Sequence, residues 1–272
     1  MQIYVEAAET GNPRGMRALG QMYANGLGVA VDVPLAILWL QKAADGGDVR
    51  AMLLLACRYR DGRGVEEDIP KAMDLFHRAA ELGDSEAMTS LGCAYVDGLL
   101  PDPLMSGART WFERGAKAGD AESMYQLGFL HEHGMGMPKD PGAAMDWYRK
   151  AAGAGFSLAM VSIGDLCKSV GGDLSQAVDW YRKASEAGCL LGKVYLGQHL
   201  MRGTGVPRNP TKAMKLFYEA ADKGDKGAMY EIARAYEKGD GIGRDLARAR
   251  EWYKKAAALG SGPAALALQS LD

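Results

Sequence analysis

The sequence predicts an all-α, right-handed α-solenoid (superhelix) of helix-turn-helix repeats, about 36 residues each. Three observations predict it. Glycine is in excess, 36 of 272 residues, roughly double the usual share. A glycine that follows an Ala-Ala-like pair recurs at Gly11, Gly47, Gly83, Gly119, Gly155, Gly188, Gly224 and Gly260, almost always one 36-residue period apart. Between these glycines the apolar positions recur three and four residues apart, the spacing of one helix face rather than of a strand.

Each repeat reads as two helices. Five residues after the glycine stand Met16, Met52, Met88, Met124, Met160 and Met229, with Lys193 breaking the series. Eight and nine residues on, Leu19-Gly20, Leu55-Ala56, Leu91-Gly92, Leu127-Gly128, Ile163-Gly164, Leu196-Gly197 and Ile232-Ala233 recur. Twelve on come Tyr23, Tyr59, Tyr95 and Tyr236, with His131, Cys167 and Leu200 in the other places. This first helix, A, ends at a Gly-x-Gly turn such as Gly62/Gly64 or Gly239/Gly241, because glycine accepts the left-handed conformation after a helix C-terminus. Helix B opens at Asp32, Asp68, Asp140 or Asn209, each followed closely by a proline, the pattern of an N-cap and a first turn. Its buried stripe is Ala36, Trp39 and Ala43, repeated through Ala249, Trp252 and Ala256.

The expected organisation is one solenoid domain over 1–272: a half repeat at 1–10, repeats at 11–46, 47–82, 83–118, 119–154, 155–187, 188–223 and 224–259, and a lone C-terminal helix within 260–272, from Pro263 to Leu271. Two repeats are irregular. Repeat five lacks three residues and turns through Val170-Gly171-Gly172-Asp173, and repeat three carries Leu99-Leu100-Pro101-Asp102-Pro103. Both changes fall in loops, which leave stacked faces alone. Ile3 and Tyr4 stand where Trp39 and Leu40 stand one period later, so the chain opens inside a helix B. Half repeats at the ends fit caps, and equally a segment of a longer protein.

Composition limits the function classes. A chain 48% hydrophobic and 24% charged is foldable, and a net charge of −2 gives no bulk attraction to nucleic acid or to an anionic membrane. No apolar run approaches a membrane span. The N-terminus has no basic stretch or long apolar core, which favours the cytoplasm while leaving location open. Cys57 and Cys93 sit at the same place in adjacent repeats, one stacking step of roughly 9–10 Å apart. A disulfide spans less than about 7 Å between Cα atoms. No disulfide framework is expected. No cofactor is expected either. The Gly-x-Gly turns follow helices and are copied through the chain, unlike a single phosphate loop. His131 and His133 are two apart on a helix and point away from each other, which argues against a metal site.

The run Gly-x-x-x-Ala-Met-x-x-Leu-Gly-x-x-Tyr-x-x-Gly-x-Gly-Val, followed by Asp and by Ala-x-x-Trp-x-x-Lys-Ala-Ala, resembles the Sel-1-like repeat of the tetratricopeptide-like superfamily. The resemblance spans essentially the whole chain, with Gly47–Gly64 and Gly224–Gly241 following the motif closely. It implies a concave groove lined by helix A and adaptor work on protein partners. Some cysteine-rich relatives are described as penicillin binders or weak β-lactamases, but this chain lacks their paired cysteines and any Ser-x-x-Lys element.

The expected function is therefore a non-catalytic adaptor or scaffold, with an immunity-type protein neutralising a specific partner as the alternative and a hydrolase behind both. The groove positions lie three, six, ten and thirteen residues after each glycine. The candidate partner-binding residues are Arg14, Arg17, Gln21, Arg50, Leu53, Arg60, Thr89, Tyr125, Phe129, Glu132, Val161, Asp165, Val194, Gln198, Tyr230 and Arg234. This face is basic in the first two repeats and then aromatic and apolar, the residue types that anchor interfaces. The expected partner is a protein or extended peptide, with acidic groups facing the arginines. The chain itself is expected to be monomeric or weakly self-associating.

Overall fold

The computed structural model describes residues 2–101 and 105–271. The described residues are helical or lie in turns and loops, with no strand among them. The chain divides into two compact units, one through Lys139 and one from Asp140. The first holds α1 (Gln2–Glu9), α2 (Pro13–Asn25), α3 (Val33–Asp45), α4 (Val49–Asp61), α5 (Ile69–Glu81), α6 (Ser85–Val96), α7 (Ser106–Lys117) and α8 (Ala121–His133). The second holds α9 (Pro141–Gly153), α10 (Ser157–Val170), α11 (Leu174–Glu186), α12 (Leu190–Arg202), α13 (Pro210–Ala221), α14 (Lys226–Lys238), α15 (Leu246–Ala258) and α16 (Gly262–Ser270). The even-numbered helices are the A helices, and the fold is an all-α solenoid. The terminal helix begins and ends one residue earlier than Pro263–Leu271, ordinary fraying at a helix end.

The helix starts follow from the acids and amides that precede them. Asp68 Oδ1 accepts the Lys71 backbone N–H at 2.9 Å, and Asn209 Oδ1 accepts that of Lys212 at 3.0 Å. The A helices use the same device. Asn12, Asp48, Asp84, Asp120 and Asp225 cap α2, α4, α6, α8 and α14. Each such cap contributes about 1 kcal/mol. The glycine after helix A closes the other end. Gly203 takes φ 73 and donates its N–H to the His199 carbonyl at 2.8 Å.

The leucines eight residues after each repeat glycine form the interior: Leu19, Leu55, Leu91 and Leu127 are fully buried. Helix B answers with an aromatic ring. Phe112 lies so close to Gly92 that a Cβ there would stand 2.4 Å from the ring, and Phe217 approaches Gly197 to 2.5 Å on the same measure. At Gly92, Gly164 and Gly197 the small residue is thus the seat of an aromatic ring from its own repeat, and at Gly20 it seats Leu40. Most of the helix B tryptophans carry a cation one turn on, as with Lys150 Nζ 3.9 Å from the Trp147 ring centre and Lys255 Nζ 4.2 Å from Trp252.

Both irregular repeats differ in their loops. In repeat five Gly172 takes φ 64, and Asp173 caps α11 directly. In repeat three Leu99, Leu100 and Pro101 leave α6, and α7 starts from Met105 in the left-handed region at φ 54 without a side-chain cap. Asp102 and Pro103 lie outside the described residues. The methionine series faces inward, with Met52, Met88 and Met229 buried. Where Lys193 replaces methionine, its ammonium pairs with Glu219 of the following helix B, α13.

Candidate functional site

Two helix A residues six places after their glycines reach the cap of the next helix A. Arg17 Nε sits 3.0 Å from Asp48 Oδ1, and Thr89 Oγ1 donates to Asp120 Oδ2 at 2.8 Å. Both acids are N-caps, so the side chain at this place ties one repeat to the start of the next. The consequence corrects part of the sequence reading. Leu53, Thr89, Val161 and Val194 occupy this place and are buried, between 2% and 6% exposed. They pack the stack and leave little surface for a partner. Thr89 is locked further by Ser123, whose hydroxyl lies 2.5 Å away beneath Gly115.

The places ten residues after each glycine behave as a face. Gln21, Cys57, Phe129, Asp165, Gln198 and Arg234 are all half-buried. In the first unit the structure brings Arg17, Gln21, Arg50 and Leu53 together around a pocket of about 240 Å³, completed by Leu54, Cys57 and Glu86. The arginines are largely matched by acids of the chain itself. Arg50 Nη1 lies 3.2 Å from Glu86, one full period away, and Arg60 Nε lies 2.8 Å from Asp61. The Arg60 hydrogen bond holds the Asp61 carboxyl below its usual range. Arg14 is exposed and carries no side-chain ion pair among the described residues. The basic patch is therefore a ladder of ion pairs that opens at Arg14, not a block of free charge.

Tyr125 and Phe129 follow on α8, both half-buried, with Glu132 beside them. Phe129 stacks on His133 with ring centres 4.1 Å apart, and the Phe129 carbonyl lies 3.0 Å from His133 Nδ1. His131 is half-buried with its Nδ1 enclosed and without a partner, so the two histidines do not share a site. Among the described residues no group of three or more His, Cys, Asp or Glu could hold a metal ion.

In the second unit the acids of this face are engaged. Asp165 accepts the Tyr181 hydroxyl at 2.7 Å and lies 3.1 Å from Lys168 Nζ. Glu237 accepts the Tyr253 hydroxyl at 2.6 Å. Gln198 and Arg234 converge on a second pocket of about 160 Å³ between α12 and α14, lined also by Met201, Arg202, Glu231, Ala235, Lys238 and Asp240. Tyr230 stands beneath Arg234, its ring centre 5.7 Å from the guanidinium carbon.

Leu54, Glu231, Arg202 and Lys238 were not among the expected groove residues. They stand seven or fourteen places after the glycine. A helix advances 3.6 residues per turn, so a stripe through three and ten runs between six and seven and near fourteen. The signal was present in the period. The cysteines are free, and burial pushes the Cys57 thiol up and the Cys93 thiol up to about 11. At neutral pH Cys93 is a protonated, poorly nucleophilic thiol. No described helix is long and apolar enough to cross a membrane.

Helix pairs stacked at a fixed period, with a half-buried polar face on the A helices, define a helical-repeat protein of the solenoid class. The Sel1 repeat model matches residues 13–48, 49–84, 85–120, 121–156, 159–189, 192–225 and 227–261, and the chain belongs to the Sel1 repeat family. Proteins of this family are in general scaffolds for protein interaction. The chain is 28% identical to a Sel1 repeat protein from Oxalobacter formigenes, covering 100% of this chain and 79% of that one with a TM-score of 0.78. It is 31% identical to c5321, a protective antigen present in uropathogenic Escherichia coli strains and displaying an SLR fold, with a TM-score of 0.71 over 98% of this chain and 58% of that one. A 60-residue stretch, 22% of this chain, is 42% identical to DAP3-binding cell death enhancer 1 of Rattus norvegicus and covers 12% of that protein. The chain thus spans little more than half of the E. coli structure and a small part of the rat protein.

Proposed function

We propose that this chain is a non-catalytic adaptor that holds a protein or extended peptide against its helix A face, with its main contacts in the first unit. The observation that carries the reading is the pocket of Arg17, Gln21, Arg50, Leu54, Cys57 and Glu86. A face that only met water would be rich in Lys and Glu, whereas this one offers guanidinium, amide and apolar surface together. The Arg50–Glu86 pair is exposed on both sides, 65% and 64%. Such pairs contribute about 0–1 kcal/mol. An acidic group on a partner therefore competes with Glu86 for Arg50 at small cost. Tyr125 and Phe129 on α8 supply aromatic anchors for an apolar side chain.

The non-catalytic part of the proposal is supported by how these reactive groups are spent. Cys57 and Cys93 are held protonated by burial, and Asp165 and Glu237 are occupied by tyrosine hydroxyls. No nucleophile with an adjacent base is assembled from them. The test is direct binding. A partner captured by the native chain is purified, and its affinity is measured for the native chain and for R50A/Y125A/F129A. A weakening of tenfold or more with the helical signal unchanged supports the reading. Equal affinities overturn it.

A further inference from the structure

We infer that the pocket between α12 and α14 is a receptor for one acidic side chain, an Asp or Glu projecting from a protein partner. The inference rests on the reading of this chain as a protein-binding module, but the pocket lies in the second unit and shares no residue with the Arg17/Arg50 pocket.

Size gives the class of ligand. The pocket holds about 160 Å³, below the roughly 300–1,000 Å³ of sites that enclose small molecules. That is the scale of a single side-chain tip rather than of an enclosed small molecule.

Charge gives its sign. Arg202, Arg234 and Lys238 line the pocket against Glu231 and Asp240. Both acids are already bonded. Glu231, 11% exposed, accepts Gln198 Nε2 at 2.8 Å and Arg234 Nη1 at 3.1 Å. Asp240 accepts from Arg208 Nη2. Arg202 and Lys238 are exposed and have no acidic partner among the described residues, so the unmatched charge is positive.

Geometry supplies the donors. Arg234 is held by Glu231 on one side and rests over Tyr230, and its bonds to Glu231 both come from Nη1. Its Nε and Nη2 hydrogens are left to donate, and a guanidinium presents them in the fork that fits a carboxylate. Met201 and Ala235 give the pocket an apolar wall suited to the methylenes of an Asp or Glu. The repeat pattern does not require this basic pair. The place fourteen residues after the glycine is Asp61 in repeat two and Asp97 in repeat three, but Arg202 in repeat six and Lys238 in repeat seven.

The test is a titration followed by NMR at the Arg234 Nε–H and the Met201 methyl. The probes are the acetylated, amidated peptide Ala-Ala-Glu-Ala-Ala, its Gln counterpart, and the Gln peptide with a free C-terminus. The Glu peptide is expected to shift both signals saturably. The Gln peptide is expected to bind at least about tenfold more weakly, as when a charge-assisted hydrogen bond is lost. R202Q/K238Q is expected to lose the Glu response by a similar factor, and R17A/R50A to retain it. Equal response to the Glu and Gln peptides overturns the proposal. So does an unchanged response in R202Q/K238Q. Preference for the free C-terminus over the Glu side chain overturns it too. Unchanged partner binding in the first-unit variant with the Glu response intact tells against the function proposed above for the first unit and not against this site.

Discussion

Arg17 on α2 reaches across to Asp48, the residue that caps α4, with Nε 3.0 Å from Oδ1. Asp48 at once accepts the Ala51 backbone N–H at 2.8 Å. One carboxylate therefore starts a helix and receives the preceding repeat. Replacing Asp48 by Ala is expected to cost about 0.5–2 kcal/mol through the lost cap. Asp48→Asn keeps the acceptor and is expected to cost less. Arg17→Leu is expected to be near neutral for stability, because Leu53 fills the equivalent place one repeat later and is buried there. Urea denaturation of the three variants checks the order.

The seat of each aromatic ring is the second expectation. A methyl group at Gly197 would meet the Phe217 ring at 2.5 Å. Gly197→Ala is expected to destabilise by about 1–3 kcal/mol through overpacking. The paired change Gly197→Ala with Phe217→Leu is expected to recover part of the loss, since the smaller side chain vacates the contact. Chemical denaturation of the single and double variants is the measurement.

Lys193 gives a pH prediction. Its hydrogen bond holds the Glu219 carboxyl below the usual carboxylate range. A folded pKa below the unfolded one contributes stability above the unfolded value, about 4.3. That contribution is lost as pH falls through the depressed folded value. Acid should therefore weaken the native chain through this pair. Lys193→Met, which restores the residue type of the other repeats, should flatten that part of the stability profile. Thermal melts from pH 7 to pH 3 of both proteins decide it. Profiles of the same slope would count against the pair.

Thiol chemistry reports the packing of the helix A face. With its thiol pushed up to about 11 by burial, Cys93 should alkylate far more slowly in the folded chain than in urea at pH 8. Cys57, pushed up for the same reason, should lag as well. Mass spectrometry of iodoacetamide adducts at timed intervals measures both.

Most of the fold was legible because each repeat restates the same physical problem. The leucine, the small residue beside it and the capping acid recur at fixed distances, and the structure places Leu55, Gly92 and Asp68 where the period required. The site was less legible. Arg50, Gln21 and Arg234 lie on the expected face, but Leu53, Thr89, Val161 and Val194 are buried. Single-helix periodicity does not reveal which flank of a stripe turns toward the next repeat. Nor does composition tell that Glu86 and Asp48 would answer the arginines, since those pairs are a full repeat or nearly so apart in the chain.

The most direct test of the adaptor reading is the affinity of one purified partner, first captured by the native chain, for native protein and for R50A/Y125A/F129A by calorimetry. The account predicts a dissociation constant at least about tenfold weaker in the variant, the scale of losing hot-spot side chains, with unchanged helical signal and melting behaviour. Equal affinity in a folded variant would contradict it, because binding would then lie off the helix A face of the first unit.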